Sequence, residues 1–275
     1  MATEPASWGL RRRALDALDR AKLGKPAVRA YEFALAAVSH LRPRREKVAD
    51  GVPLPPARLR AQIGPRHADA DFFLRSGREQ AGIVRTLLEE NGSELERLDA
   101  LLDWGCGCGR ILRNWSQLSH PRVFGCDINP KMVEWCDQNL PFADVSVNEL
   151  SPPLPYPEAS FDLVYAFSVM THLDEDRQHA WSRECFRVLK PRGSFLFSTM
   201  GEHYLSLGRL SDAERRRFRA GNVVVLFDDA SGTSLCSAYH PPEYVREKLA
   251  SQFEFVAFRP AIDYGRHDVH LFRKP

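Results

Sequence analysis

Asp103-Trp104-Gly105-Cys106-Gly107-Cys108-Gly109 sets an acid ahead of three glycines spaced two residues apart, straight after Leu101-Leu102. Glycines at that spacing let a chain turn tightly and let a ligand lie against bare backbone. A helical pattern follows over Arg110–Gln117. Its first amides would face an anionic part of a ligand. A second acid, Asp127, ends the run Val123-Phe124-Gly125-Cys126 and stands 24 residues beyond Asp103. In a strand–helix–strand unit this spacing sets the Asp127 carboxylate at the tip of the neighbouring strand, where it accepts the hydroxyls of a ribose. The competing role for Asp127 is a turn or helix cap before Asn129-Pro130.

The turn reads G-x-G-x-G, not the G-x-G-x-x-G that seats a pyrophosphate. The acid just before it would repel a pyrophosphate and attract an amino group. A ligand with an adenine, a ribose and a zwitterionic amino-acid tail fits these groups, and S-adenosylmethionine is such a ligand.

The elements that must hold these residues alternate. Apolar runs predict strands at Asp99–Trp104, Arg122–Asp127, Ala143–Val147, Phe161–Phe167 and Ser194–Thr199, with helices over Pro130–Gln138 and Arg177–Leu189. A helix over Pro241–Ser251 precedes two strands, Phe253–Phe258 and Asp268–Phe272. No helix fits between those two, so they pair antiparallel. The expected fold class is α/β: a doubly wound, mostly parallel sheet with a reversed last strand.

LLDWGCGCGR, VFGCDINPKMVEWC, LPYPEASFDLVYAFSVMTHL and RECFRVLKPRGSFLFST, in that order, resemble the successive motifs of class I S-adenosylmethionine-dependent methyltransferases. The resemblance covers roughly residues 70–275. It implies a seven-stranded, Rossmann-like sheet with an antiparallel last strand, and S-adenosylmethionine as cofactor. It places Asp103, Gly105, Cys106 and Gly107 around the methionine moiety, Asp127 on the ribose and Ile128 on the adenine. Asn148 matches the position that often reaches the adenine amino group, with Glu149 competing for it, and Phe167 would border the cofactor.

Methyl transfer is an in-line displacement in which the protein mainly supplies alignment. A base is needed when the acceptor is a poor nucleophile such as a hydroxyl. His172, in Met170-Thr171-His172-Leu173 at the carboxyl end of the fourth strand, is one candidate base, and His240 before the C-terminal helix is the other. Each has a structural alternative as a cap or helix-entry residue. His267-Asp268 reads as a structural charge pair at the sheet end. Arg75 is a candidate partner for the cofactor carboxylate. Cys106, Cys108 and Cys126 lack metal-ligand spacing and read as small side chains filling space, so no metal is expected.

The remaining organisation divides the 275 residues at 64/65. Residues 1–64 form a helical N-terminal extension and connector, and 65–275 the main domain, in which 201–240 is an insertion expected to cap the acceptor site. Residues 1–50 carry eleven Lys/Arg against six Asp/Glu, and Val28, Tyr31, Leu35 and Val38 form an apolar helical stripe. That stripe docks on the domain, or serves a dimer contact or a peripheral membrane contact. Residues 51–65, with four prolines, read as an extended connector. Net charge is +2, 44% of residues are hydrophobic, and no apolar run spans a membrane. These values disfavour disorder and point to a cytoplasmic protein with reduced cysteines.

The expected function is methyl transfer to a small-molecule or sugar-like acceptor. RNA or protein methylation is the rival within the class. An NAD-dependent oxidoreductase and an inactive cofactor-binding subunit are the rivals outside it. Ala166-Phe167-Ser168-Val169 lacks the Asn/Asp-Pro-Pro-aromatic pattern of enzymes that modify base amino groups, so nucleic acid is not the expected partner.

Overall fold

The computed structural model describes residues 17–24, 26, 51–207 and 209–275. The stripe of Val28, Tyr31, Leu35 and Val38 lies outside these.

Five parallel strands come first: β1 (Ala100–Trp104), β2 (Arg122–Asp127), β3 (Ala143–Val147), β4 (Phe161–Ala166) and β5 (Leu189–Thr199). A two-stranded hairpin of β6 (Val224–Leu226) and β7 (Ser237–Tyr239) follows, then β8 (Glu254–Asp263) and β9 (His267–Arg273). The main sheet has seven strands in the order β3-β2-β1-β4-β5-β9-β8. β9 runs antiparallel between β5 and β8, pairing Phe195 with Phe272 and Phe197 with His270. The expected doubly wound, mostly parallel sheet with a reversed last strand is the one observed.

Alternation along the strands explains the two-sided core. Ala100, Leu102 and Trp104 of β1 enter one cluster with Val164, Ala166, Phe195 and Phe197. Leu101, Leu163, Tyr165 and Leu196 enter another on the opposite face. Helix α1 (Ala57–Ile63) and helix α2 (Ala70–Glu90) precede the sheet. α2 covers the second face with Val84, Leu87 and Leu88. Helix α3 (Pro130–Asn139) joins β2 to β3. Helix α4 (Glu175–Val188) covers the first face with Trp181, Cys185 and Val188. Helix α5 (Asp212–Arg219) lies in the insertion, opened by a reciprocal Ser211–Glu214 cap.

Four expectations need correction. The run after the glycine turn is only a 3₁₀ turn, Leu112–Trp115. Gly109 sits at φ +76°, and Asn114 Nδ2 donates to the carbonyls of Arg110 and Ile111, competing with a regular helix. The connector is not extended throughout: α1 starts after Pro56. The C-terminal helix is a turn at Pro242–Tyr244 that widens into a π-turn over Val245–Leu249. β5 starts at Leu189, five residues before the apolar run, because Leu189 already pairs with Phe161, and the register shifts before Ser194 pairs with Leu163.

Candidate functional site

The carboxyl ends of β1, β2, β4 and β5 open into one cleft of about 1120 Å³. Asp103, Gly105, Cys106, Gly107, Asp127, Ile128, Asn148, Phe167 and His172 all line it. Glu149 and His240 do not.

The glycine turn is built for close approach. Gly105, Gly107 and Gly109 all sit at positive φ (+80°, +56° and +76°). A Cβ on Gly105 would stand 2.3 Å from Val169 Cγ2, and one on Gly107 3.3 Å from Ile63 Cδ1. Asp127 ties this turn to the second strand. Its Oδ2 accepts from the Gly107 amide (2.9 Å) and its Oδ1 from the Asn129 amide (2.8 Å). The expected turn-capping role is therefore filled, and each carboxylate oxygen still has a further lone pair for a ligand.

Asp103 is 2% exposed and its Oδ2 has no partner. Burial pushes its carboxyl up to about 7, while a hydrogen bond from Tyr165 and the nearby Arg110 pull it back. Tyr165 in turn accepts from Trp115 Nε1 (2.8 Å). Asn148 spends its Nδ2 on the Glu149 carbonyl (2.8 Å), which leaves its buried Oδ1 unpaired. Glu149 itself is exposed. Ile128 lies at the cleft, 42% exposed, an apolar surface open to a flat ring.

Two expected residues are misplaced. His240 is fully buried and bonds Gln178 Oε1 through Nε2 (2.9 Å), and burial pushes its imidazole down to about 3. It holds β7 to α4 and does not face the cleft. Arg75 points outward to Glu79. His172 does face the cleft. Its Nδ1 donates to the Cys236 carbonyl (2.7 Å), which leaves Nε2 as the acceptor nitrogen. His267 pairs with Asp263, not with Asp268. His267 Nδ1 lies 3.2 Å from Asp263 Oδ2, while Asp268 accepts from the Ala261 amide.

The sequence reading missed several residues that the fold delivers. Arg60 donates to the carbonyls of Pro55, His67 and Ala68, and Arg113 to those of Val52 and Pro53. Together they fold 52–68 over the turn and bring His67 to the cleft. Arg110, buried beside Asp103, bonds Tyr264 (2.8 Å) and keeps Nε unpaired. Its place directly after the third glycine was the signal available. Unpaired buried polar atoms on His67, Gln80, Asp103, Arg110, Asn148 and Thr171 all belong to residues lining this one cleft. Such groups cost stability unless a ligand satisfies them.

Residues 102–197 match the family model described as a methyltransferase domain. A probable S-adenosylmethionine-dependent methyltransferase of Mycolicibacterium smegmatis is 34% identical over 133 residues, 47% of this chain and 50% of its own length. The 27-O-demethylrifamycin SV methyltransferase of Amycolatopsis mediterranei is 34% identical over 154 residues, 53% of this chain and 55% of its own length. Residues 102–197 thus form a methyltransferase domain of the S-adenosylmethionine-dependent kind. The solved 1,6-didemethyltoxoflavin-N1-methyltransferase of Burkholderia thailandensis shares the fold, with TM-score 0.53 and 20% identity over 78% of this chain and 84% of its own. This chain spans about half the length of the curated relatives it matches. Their names differ in acceptor, from a demethylrifamycin to a tRNA cytidine. The methyltransferase domain sets aside the nicotinamide alternative.

The cleft of this methyltransferase domain suits S-adenosylmethionine. It offers a carboxylate and a guanidinium for a zwitterionic tail, a strand-tip carboxylate for a diol, and an unpaired amide oxygen for an exocyclic amine. The glycine cradle is one that a Cβ would fill.

Proposed function

We propose that this protein moves the methyl group of S-adenosylmethionine to a small-molecule acceptor bound in the same cleft. The bound cofactor supplies an electrophilic methyl carbon on a sulfonium. In this reading Asp103 receives the ammonium, Arg110 the carboxylate, Asp127 the ribose hydroxyls and Asn148 Oδ1 the adenine amine. The backbone of Gly105, Cys106 and Gly107 lies along the tail, and Ile128 and Phe167 flank the rings. His172 orients the acceptor with its Nε2 lone pair.

The observation that carries the reading is the convergence of unpaired buried polar atoms from six residues on one cleft. Its 1120 Å³ exceeds the ~300–1,000 Å³ usual for one small ligand, which leaves room for an acceptor beside the cofactor. Tyr204 and residues 232–235 of the insertion also line this cleft. All six cysteines are unbonded and buried, which suits a reducing compartment.

The test has two parts. Calorimetry should show S-adenosylhomocysteine binding. S-adenosylmethionine labelled in its methyl group should pass label to a low-molecular-mass bacterial extract and not to total RNA. Absence of binding, or label entering RNA alone, would refute this reading.

A further inference from the structure

Three side chains from distant segments form a hydrogen-bonded line at the acceptor end of the cleft. Tyr204, in the insertion, lies 2.9 Å through its hydroxyl from His267 Nε2 at the start of β9. His267 Nδ1 lies 3.2 Å from Asp263 Oδ2 at the end of β8. Asp263 is fully buried and also accepts from Gln80 Nε2 at 2.8 and 2.9 Å. Tyr204 and His267 line the cleft with Thr171 and His172. The Tyr204 and His267 rings stack at 5.4 Å.

We infer that this line is a proton relay and that the methylated atom is a hydroxyl oxygen; the inference rests on the methyltransferase reading above. A buried carboxylate beside an imidazole nitrogen puts the proton on that nitrogen and leaves the other as an acceptor. Nε2 therefore takes the Tyr204 hydroxyl proton, and the Tyr204 oxygen keeps its lone pairs for the acceptor. Burial holds the Tyr204 phenol up at about 12, so it stays protonated and passes a proton rather than carrying a charge. His172 lacks a carboxylate partner: its Nδ1 meets only a carbonyl. A proton left on His172 would be a buried cation without a counter-ion, whereas one on His267 rests against Asp263.

The acceptor O–H proton passes to the Tyr204 oxygen, and the Tyr204 proton passes to His267 Nε2. The freed oxygen pair forms the O–CH₃ bond. The S–CH₃ pair stays on sulfur, and the positive charge moves from sulfur to the His267–Asp263 pair. An amine acceptor needs no such device, because its lone pair attacks directly.

Variants Tyr204→Phe, Asp263→Asn and His267→Ala are compared with wild type, with methyl-labelled S-adenosylmethionine and the low-molecular-mass extract as probes. Each should lower label transfer by about 10²-fold or more, in the range of lost general-base catalysis. Affinity for S-adenosylhomocysteine should stay within about twofold, and added imidazole should restore part of the His267→Ala activity. Nitrogen NMR should find the His267 proton on Nδ1 in wild type, a readout independent of turnover. Label found in methyl ethers supports the inference, whereas label confined to methyl esters, whose carboxylate acceptors carry no proton to remove, would overturn it. Label confined to N-methyl products, an Nε2–H tautomer, or variants that transfer at the wild-type rate would overturn it. A protein that binds no S-adenosylhomocysteine would instead overturn the methyltransferase reading itself.

Discussion

Asp103 shows how burial prepares a residue for a charged ligand. In the ligand-free protein its carboxyl is held up at about 7, first by burial, then by the nearby Asp127, against the pull of Tyr165 and Arg110. An ammonium group favours the charged carboxylate, so binding must expel the proton whenever the pH lies below that value. Affinity for S-adenosylhomocysteine should therefore fall as the pH drops below about 7, approaching tenfold per pH unit. Calorimetry across pH 5–8 checks this, and Asp103→Asn should bind weakly at every pH with that dependence gone. Asp127 acts differently, since it already accepts from the Gly107 and Asn129 amides and, in the proposed reading, would also meet the ribose. Asp127→Ala orphans the Gly107 and Asn129 amides and removes the diol acceptor. Hydrogen bonds to a charged group are worth about 1.5–3 kcal/mol each, so affinity should fall by at least about tenfold with the far-ultraviolet circular dichroism retained. An unchanged dissociation constant would remove Asp127 from the ribose site.

At the scale of elements, the glycine turn exists because strand β1 must stop short under Val169 while the chain crosses to the 3₁₀ turn. Gly105→Ala adds a Cβ 2.3 Å from Val169 Cγ2 at φ +80°. The left-handed backbone alone costs about 1–2 kcal/mol, and the clash adds to it. Gly92→Ala meets the same backbone cost at φ +78° but has nothing within 4 Å. Thermal melts should show both variants destabilised, Gly105→Ala more so, and only Gly105→Ala should lose S-adenosylhomocysteine affinity. Equal effects of the two would mean that the turn is not a cradle. The same contrast explains what was legible in the sequence. Strands β1, β2 and β4 are apolar runs whose local pattern and buried position agree, so they were readable almost to the residue. The glycines were readable because few residues tolerate positive φ. The helix expected after them was not, because the Asn114 side chain takes the carbonyls of Arg110 and Ile111. The connector misled for a related reason: its prolines signal extension, while Arg60 gathers three carbonyls and folds it.

Over the whole molecule, the pairings that escaped the sequence reading are those made by long-range folding. His67, Arg110, Tyr204, Asp263 and His267 share no local motif. They meet because the connector, the insertion and the β8–β9 pair all end over one rim of the sheet. His240 and His270 met the opposite fate, since folding sealed them into the core. Each has its imidazole pushed down to about 3, His240 by burial and His270 by burial, then by His240 and Arg246. An unfolded chain binds a proton on each below about pH 6.5, while the folded chain binds neither until about pH 3. Across that window the unfolded state holds more protons, so each histidine makes stability fall as the pH falls. Asp103 opposes them with one proton. Its carboxyl is neutral in the fold below about 7 and charged in the unfolded chain above about 4, so its contribution falls as the pH rises. Replacing His270 removes one of these acid-labile contributions, which His67 and His172, also pushed down by burial, share, and leaves Asp103 in place. His270→Phe keeps the aromatic stack with Phe197 and Phe272, although it loses the bond to Thr199. Urea titrations at intervals from pH 4 to 6 should show the slope of unfolding free energy against pH reduced by about one proton, or about 1.4 kcal/mol per pH unit. That slope difference is independent of the absolute cost of the substitution, which shifts the whole curve. A parallel curve for the variant would mean that His270 already binds its proton in the folded state, and that the β5–β9 face admits water.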